Sequence, residues 1–190
     1  AANGVDAIIA QGLEAGGHRG SFMTTDMTTQ SGGLALLPRI CAEVSIPVIA
    51  AGGIAGPEGV GAALALGAAG VQVGTAFLLC PEADTSPLHR AALMSDAAGH
   101  TALTNVFTGR PARSIVNRLI REVGPMASSA PPFPAAANAV SLLRQATVPL
   151  NSSDFTPLWC GQNANGCQQR PAAELLHWLA HGIAGTGTAL

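Results

Sequence analysis

The sequence predicts an α/β fold in which a parallel sheet is covered by helices. Three observations carry that prediction. Short, continuous apolar runs occur at 5–10, 45–51 and 70–73, as expected of strands buried on both faces. Each run passes straight into a glycine-rich segment. Between the runs lie stretches with apolar residues at helical spacing. The resulting order is strand, loop, helix, strand, loop, helix, strand. A closed barrel and an open doubly wound sheet both fit this order.

The first run, Val5-Asp6-Ala7-Ile8-Ile9-Ala10, feeds a glycine-rich loop. Residues 33–44 read as a helix, although Pro38 sits awkwardly inside it. Ser45 to Ala51 is the second strand and leads into Gly52-Gly53. A helix over 57–67 begins with Pro57 in its first turn and ends near Gly67. The third strand, 70–73, is followed by Gly74-Thr75. After Leu79 the texture changes. Helices are expected at 86–97, 112–123, 137–146 and 172–183, a strand-like stretch at 101–108, and loops at 125–136 and 151–171. The end, 182–190, should fray. No internal repeat is evident.

Composition narrows the function classes. The 190 residues are 48% hydrophobic, enough for one core. Charged residues make up only 11%, and every cation is an arginine. A net charge of −2 leaves no basic footprint for nucleic acid. No apolar run reaches the roughly 18 residues of a membrane span. Cys41, Cys80, Cys160 and Cys167 form no CxxC pair and suit neither a zinc site nor a disulfide framework, so a reduced cytoplasm is the default reading. An oxidised Cys160–Cys167 pair has no support in the sequence. The opening Ala1-Ala2-Asn3-Gly4-Val5-Asp6 lacks an initiator Met and any signal signature, and reads as mid-chain sequence.

Two places can carry chemistry. Gln11-Gly12-Leu13-Glu14-Ala15-Gly16-Gly17-His18-Arg19-Gly20 follows a strand, where parallel α/β folds place their sites. Its glycines permit close backbone approach to a ligand. His18 offers a group able to give or take a proton near neutral pH; the bland alternative is a structural or solvated histidine. The second place is a pair of loops, Ala51-Gly52-Gly53-Ile54-Ala55-Gly56 and Gln72-Val73-Gly74-Thr75-Ala76. Each follows a strand and opens a helix, an arrangement suited to phosphate. A tight strand–helix turn would explain either loop alone. Two together match the phosphate site after strands seven and eight of a (β/α)8 (TIM) barrel, making 5–10, 46–51 and 70–73 its sixth, seventh and eighth strands.

These blocks, with Pro47-Val48-Ile49-Ala50-Ala51-Gly52-Gly53-Ile54 and Gly70-Val71-Gln72-Val73-Gly74-Thr75-Ala76-Phe77, resemble the nitronate monooxygenases, formerly called 2-nitropropane dioxygenases. Phe107-Thr108-Gly109-Arg110-Pro111-Ala112-Arg113 and Leu158-Trp159-Cys160-Gly161-Gln162 resemble the same family. The first three blocks are shared with a sister family, the FMN-dependent enoyl-ACP reductases, and the last two favour the monooxygenases. The resemblance covers roughly residues 4–165.

The resemblance implies an FMN enzyme that uses O2 to convert an alkyl nitronate to a carbonyl compound and nitrite. It implies that Gln11, Gly16 and Gly53 contact FMN, and that Gln72, Val73, Gly74 and Thr75 hold its phosphate with Gly52 nearby. His18 would face the reactive edge of the flavin as acid, base or hydrogen-bond partner. Residues 1–85 would be the C-terminal part of the barrel. Residues 86–190 would be a mostly helical C-terminal region completing the active site. The expected partners are a small-molecule nitronate and O2, with no nucleic acid or membrane, and an oligomer is possible.

Other polar residues have plainer readings. Glu14 is expected to hydrogen-bond within its loop, Arg19 to structure it, and Arg110 and Arg113 to serve structural pairing. Trp159 should pack. His177 and His181, at i, i+4 on a helix without a third ligand, should form a solvated face. A full barrel needs roughly 250 residues, so the chain is expected to be a fragment, poorly stable or inactive alone because a three-strand sheet exposes its edge and an apolar face. The remaining readings are an NAD(P)H-dependent enoyl reductase and a non-catalytic flavin- or phosphate-binding remnant.

Overall fold

A computed structural model of the chain describes residues 4–184; of the fraying expected over 182–190, residues 182–184 are helical and 185–190 lie outside the described residues. In chain order the elements are β1 (Ile8–Gln11), β2 (Gly17–His18), α1 (Gly33–Glu43), β3 (Val48–Ala51), α2 (Pro57–Ala65), β4 (Gly70–Gln72), α3 (Pro87–Leu93), β5 (Thr101–Thr104), β6 (Ala112–Ile115), α4 (Arg118–Val123), α5 (Ala135–Thr147) and α6 (Ala172–Ala184). They divide into two compact units. The first holds the described residues up to Ala15, Thr29–Asp84, and those from Asn163 onward; the second holds Gly16–Thr28 and Thr85–Gln162.

The first unit is the expected α/β arrangement. Its sheet has the order β1-β3-β4, all parallel, with Ile8 opposite Val48 and Ile49 opposite Gly70. Ala10, Val48 and Ala50 face the helices and pack with Leu37 of α1, Ala63 of α2 and Ala68. Alanines on both sides let helix and sheet approach closely. α1 runs through Pro38, which lies on its exposed side while Leu37 is buried in the core. α6 packs on α2, burying Leu175 and Leu179 against Val60, Ala76 and Cys80. Gly182 makes the close approach possible, since a Cβ there would lie 2.8 Å from Val60 Cβ. The sequence divided the chain near residue 85; the structure groups α6 with β1, β3 and β4. Among the described residues the sheet does not close, and β1 and β4 are its edges. The face away from the helices leaves Ile9 56% exposed.

The second unit differs from a largely helical region. It contains an antiparallel sheet, β2-β6-β5, with His18 opposite Ala112 and Thr104 opposite Ala112 on the other side. The helix expected over 112–123 divides in two. Ala112–Ile115 is the central strand, buried at every position, and only Arg118–Val123 is helical. Asn117 makes the break. Its Oδ1 accepts the Ile120 N–H at 3.4 Å and caps α4, while its Nδ2 donates to the carbonyls of Ser153 and Thr156. Tertiary pairing of 112–115 on both edges outweighs the helical periodicity of the segment. Val106, Phe107, Leu119, Ile120, Ala127 and Val140 form this unit's core.

Candidate functional site

In the first unit, the parallel register gathers the predicted backbone positions at one end. Gln11, Ala51 and Gln72 are the last residues of β1, β3 and β4 and stand in line across the sheet. Gln11, Gly52-Gly53 and Val73-Gly74-Thr75 therefore sit side by side at the carboxyl ends of the strands. Gly52 (φ 110°) and Gly53 (φ 74°) hold backbone conformations that other residues adopt only under strain. A Cβ on Gly52 would also come within 2.9 Å of the Ala15 nitrogen. The Gly53 carbonyl accepts a hydrogen bond from Asn163 Nδ2 at 3.1 Å.

The second loop is built differently. Gly74 has an ordinary φ of −108°, and a Cβ there would meet nothing within 4 Å. The turn it opens, Thr75–Leu79, is 3-10 rather than α-helical. The Thr75 carbonyl accepts the Cys167 thiol at 3.0 Å. Burial, with Cys80 nearby, pushes that thiol up to about 11. Glu14 reaches beyond its loop: both carboxylate oxygens accept the Gly33 N–H, at 2.9 and 3.0 Å, at the start of α1.

His18 lies in the second unit, on the two-residue strand β2 rather than in a loop. Gly16 precedes it, and a Cβ on Gly16 would strike the Gly161 nitrogen at 2.6 Å. The His18 ring is set among aromatic groups, 5.3 Å from Trp159 and 6.2 Å edge-on from Phe133. Its Nε2 is 2.9 Å from Thr108 Oγ1. Burial, followed by the positive charge of Arg110, lowers its pKa from the usual 6.5, so the imidazole is neutral at pH 7.

Arg110 holds the segment after His18. Its Nη2 donates to the carbonyls of Arg19 (3.1 Å) and Ser21 (3.4 Å), and its guanidinium lies 4.7 Å from the Phe22 ring and 5.6 Å from Phe133. Arg19 is 2% exposed, and its backbone N–H donates to the Pro111 carbonyl at 3.0 Å. Arg113, also buried, donates to Thr101 Oγ1 across the sheet. Trp159 packs as expected, T-shaped on Phe107, yet it also touches His18. Its carbonyl accepts from His89 Nε2 at 3.1 Å. His177 and His181 are exposed on α6, and no cluster of three or more metal-ligating side chains occurs among the described residues.

Thr108, Phe133 and His89 escaped the sequence reading. Thr108 stood inside a recognised block, with no pattern marking its hydroxyl. Phe133 lies in a proline-rich segment whose bend no periodicity announces.

A family model described as nitronate monooxygenase matches residues 1–182. A nitronate monooxygenase of Pseudomonas aeruginosa is 43% identical over 185 residues, covering 97% of this chain and 53% of the relative. A solved structure of a nitroalkane oxidase from Streptomyces ansochromogenes superposes with a TM-score of 0.86 at 40% identity, covering 97% of this chain and 53% of that one. A structure of FabK from Thermotoga maritima gives 0.76 at 29% identity, covering 96% and 56%. The chain thus spans about half the length of the relatives it matches. No described helix is long and apolar enough to cross a membrane. The glycine-marked carboxyl ends, the neutral histidine on its short strand and the match over nearly the whole chain agree, and the chain belongs to the nitronate monooxygenase family.

Proposed function

We propose that this chain supplies the sixth to eighth strands of an FMN-dependent (β/α)8 barrel that oxidises alkyl nitronates with O2 to carbonyl compounds and nitrite. The observation that carries the reading is the environment of His18: a neutral imidazole tethered to Thr108 and seated against Trp159 and Phe133, in a chain of this family. FMN, when bound, supplies the redox chemistry. Gln11, Gly16, Gly52 and Gly53 are assigned to contact with the cofactor, and Gln72, Val73, Gly74 and Thr75 to its phosphate. The open space in front of Gly74 supports that fit. His18 holds or accepts a proton at the substrate. Trp159 and Phe133 flank its ring, and the charge of Arg110 favours an anionic substrate nearby.

The first test is a visible absorption spectrum of the purified chain after addition of FMN and desalting. Retained flavin absorbance that bleaches with anaerobic ethyl nitronate supports the reading. A colourless protein would remove flavin binding from this chain alone. The likeness to FabK favours a second reading, NAD(P)H-dependent enoyl-ACP reduction. Rapid stoichiometric bleaching by NADPH or NADH, with none by the nitronate, would select it.

A further inference from the structure

A threonine hydroxyl has one proton to donate and two lone pairs with which to accept. Thr108 Oγ1 has three neighbours: the Arg110 carbonyl oxygen at 3.2 Å, the Arg110 backbone nitrogen at 3.4 Å and His18 Nε2 at 2.9 Å. Two of these are fixed in kind. A carbonyl oxygen can only accept, and a backbone N–H can only donate. In the arrangement that satisfies both, the hydroxyl gives its proton to the Arg110 carbonyl and accepts the Arg110 N–H. One accepting position is left, and only a protonated Nε2 can fill it. The opposite arrangement, with the hydroxyl turned toward Nε2, would take away the hydrogen bond that the Arg110 carbonyl receives from Thr108.

We propose that Thr108 is a positioning residue that holds neutral His18 with its proton on Nε2, leaving Nδ1 as the basic nitrogen of the ring. The rest of the neighbourhood keeps the bond in register. Arg110 binds the carbonyls of Arg19 and Ser21 through its side chain and Thr108 through its backbone, so one residue ties the turn at 108–110 to the segment following His18. The Arg19 N–H donates to the Pro111 carbonyl and adds a second tie. Trp159 and Phe133 lie against the ring at 5.3 and 6.2 Å between centroids. Partial burial and the Arg110 charge lower the ring's pKa from 6.5, which makes the choice of tautomer meaningful at neutral pH.

The functional meaning rests on the reading of His18 as the active-site acid/base: proton exchange with substrate would run through Nδ1. The tautomer itself does not depend on flavin or substrate. The test is a long-range proton–nitrogen correlation spectrum of the imidazoles of the ¹⁵N-labelled full chain at pH 7.5, with His18→Asn assigning the His18 signals. The expected result is Nε2 protonated and Nδ1 unprotonated. In Thr108→Val the Nε2–H to Nδ1–H ratio should fall about fivefold, the equivalent of one net hydrogen bond, while Thr108→Ser should keep the original pattern. A dominant Nδ1–H form in the unaltered chain overturns the proposal, as does an unchanged ratio in a folded Thr108→Val. If Thr108→Val loses its dispersed amide spectrum, the unaltered chain and Thr108→Ser decide the matter alone. Failure of flavin binding would leave this result intact, and failure here would leave the flavin reading intact.

Discussion

The two units position their candidate residues by opposite means. In the first, the backbone does the placing: three parallel strands end in register and left-handed glycines turn the chain beside them. In the second, side chains do it. His18 is set by a threonine 90 residues away, by Trp159 and by Phe133. The first arrangement tolerates changes of side chain and is vulnerable to an added Cβ. The second is vulnerable to the loss of single functional groups. A ligand's invariant phosphate suits the first kind of site, and a proton in transit suits the second.

The largest expected effect tests that division directly. His18→Asn should lower turnover of the flavin-loaded protein by about 10²–10⁴ and leave FMN retention after desalting unchanged. Steady-state nitronate oxidation and flavin absorbance measured on the same sample check both halves. Loss of flavin together with turnover would show that the two units do not divide the work in this way, and unchanged turnover would remove His18 from the mechanism.

A pair of glycine substitutions sharpens the account of the first unit. Gly52→Ala forces a Cβ onto a φ of 110° and within 2.9 Å of the Ala15 nitrogen, and should cost about 1–3 kcal/mol of stability. Gly74→Ala meets no protein atom within 4 Å at an ordinary φ, so its stability should stay within about 0.5 kcal/mol. Under the phosphate assignment, Gly74→Ala should nonetheless lose flavin on desalting, because the new methyl enters the open space. Urea melts and flavin absorbance separate the two effects. A Gly74→Ala protein that keeps its flavin would move the phosphate elsewhere.

The same contrast explains what the sequence could reveal. The first unit was legible because apolar runs followed by glycine report backbone geometry locally. The ends of β1, β3 and β4 fell within a few residues of the runs at 5–10, 45–51 and 70–73. The second unit was less legible because its order comes from distant pairing. Ala112–Ile115 carries helical spacing but becomes a strand once β2 and β5 flank it. His18 was visible as chemistry, whereas its partners at 108, 133 and 159 are joined to it only by the fold. α6 was visible as a helix, but nothing local assigned it to the sheet of the first unit.

The smallest effect concerns pH and belongs wholly to the second unit. His18 and His89 both have pKa values lowered from 6.5, each chiefly by burial; the charge of Arg110 adds to the shift at His18, and the bond to the Trp159 carbonyl opposes it at His89. Below pH 6.5 the unfolded chain therefore takes up protons that the folded chain still refuses. Stability contributed by the two neutral rings is fully present above pH 6.5. It falls as the pH drops from 6.5 through the lower folded values, and the loss is complete once both rings are charged in both states. Urea midpoints should therefore be level between pH 7 and 8 and decline modestly by pH 5.5, where carboxylates of ordinary pKa are still ionised. Arg110→Gln should shrink that decline by removing the second cause at His18, although it also loses the bonds to Arg19 and Ser21, so the slope with pH is the quantity to compare and not the midpoint itself. A slope unchanged by Arg110→Gln would mean that burial alone keeps His18 neutral and that the guanidinium serves only to hold the segment after it.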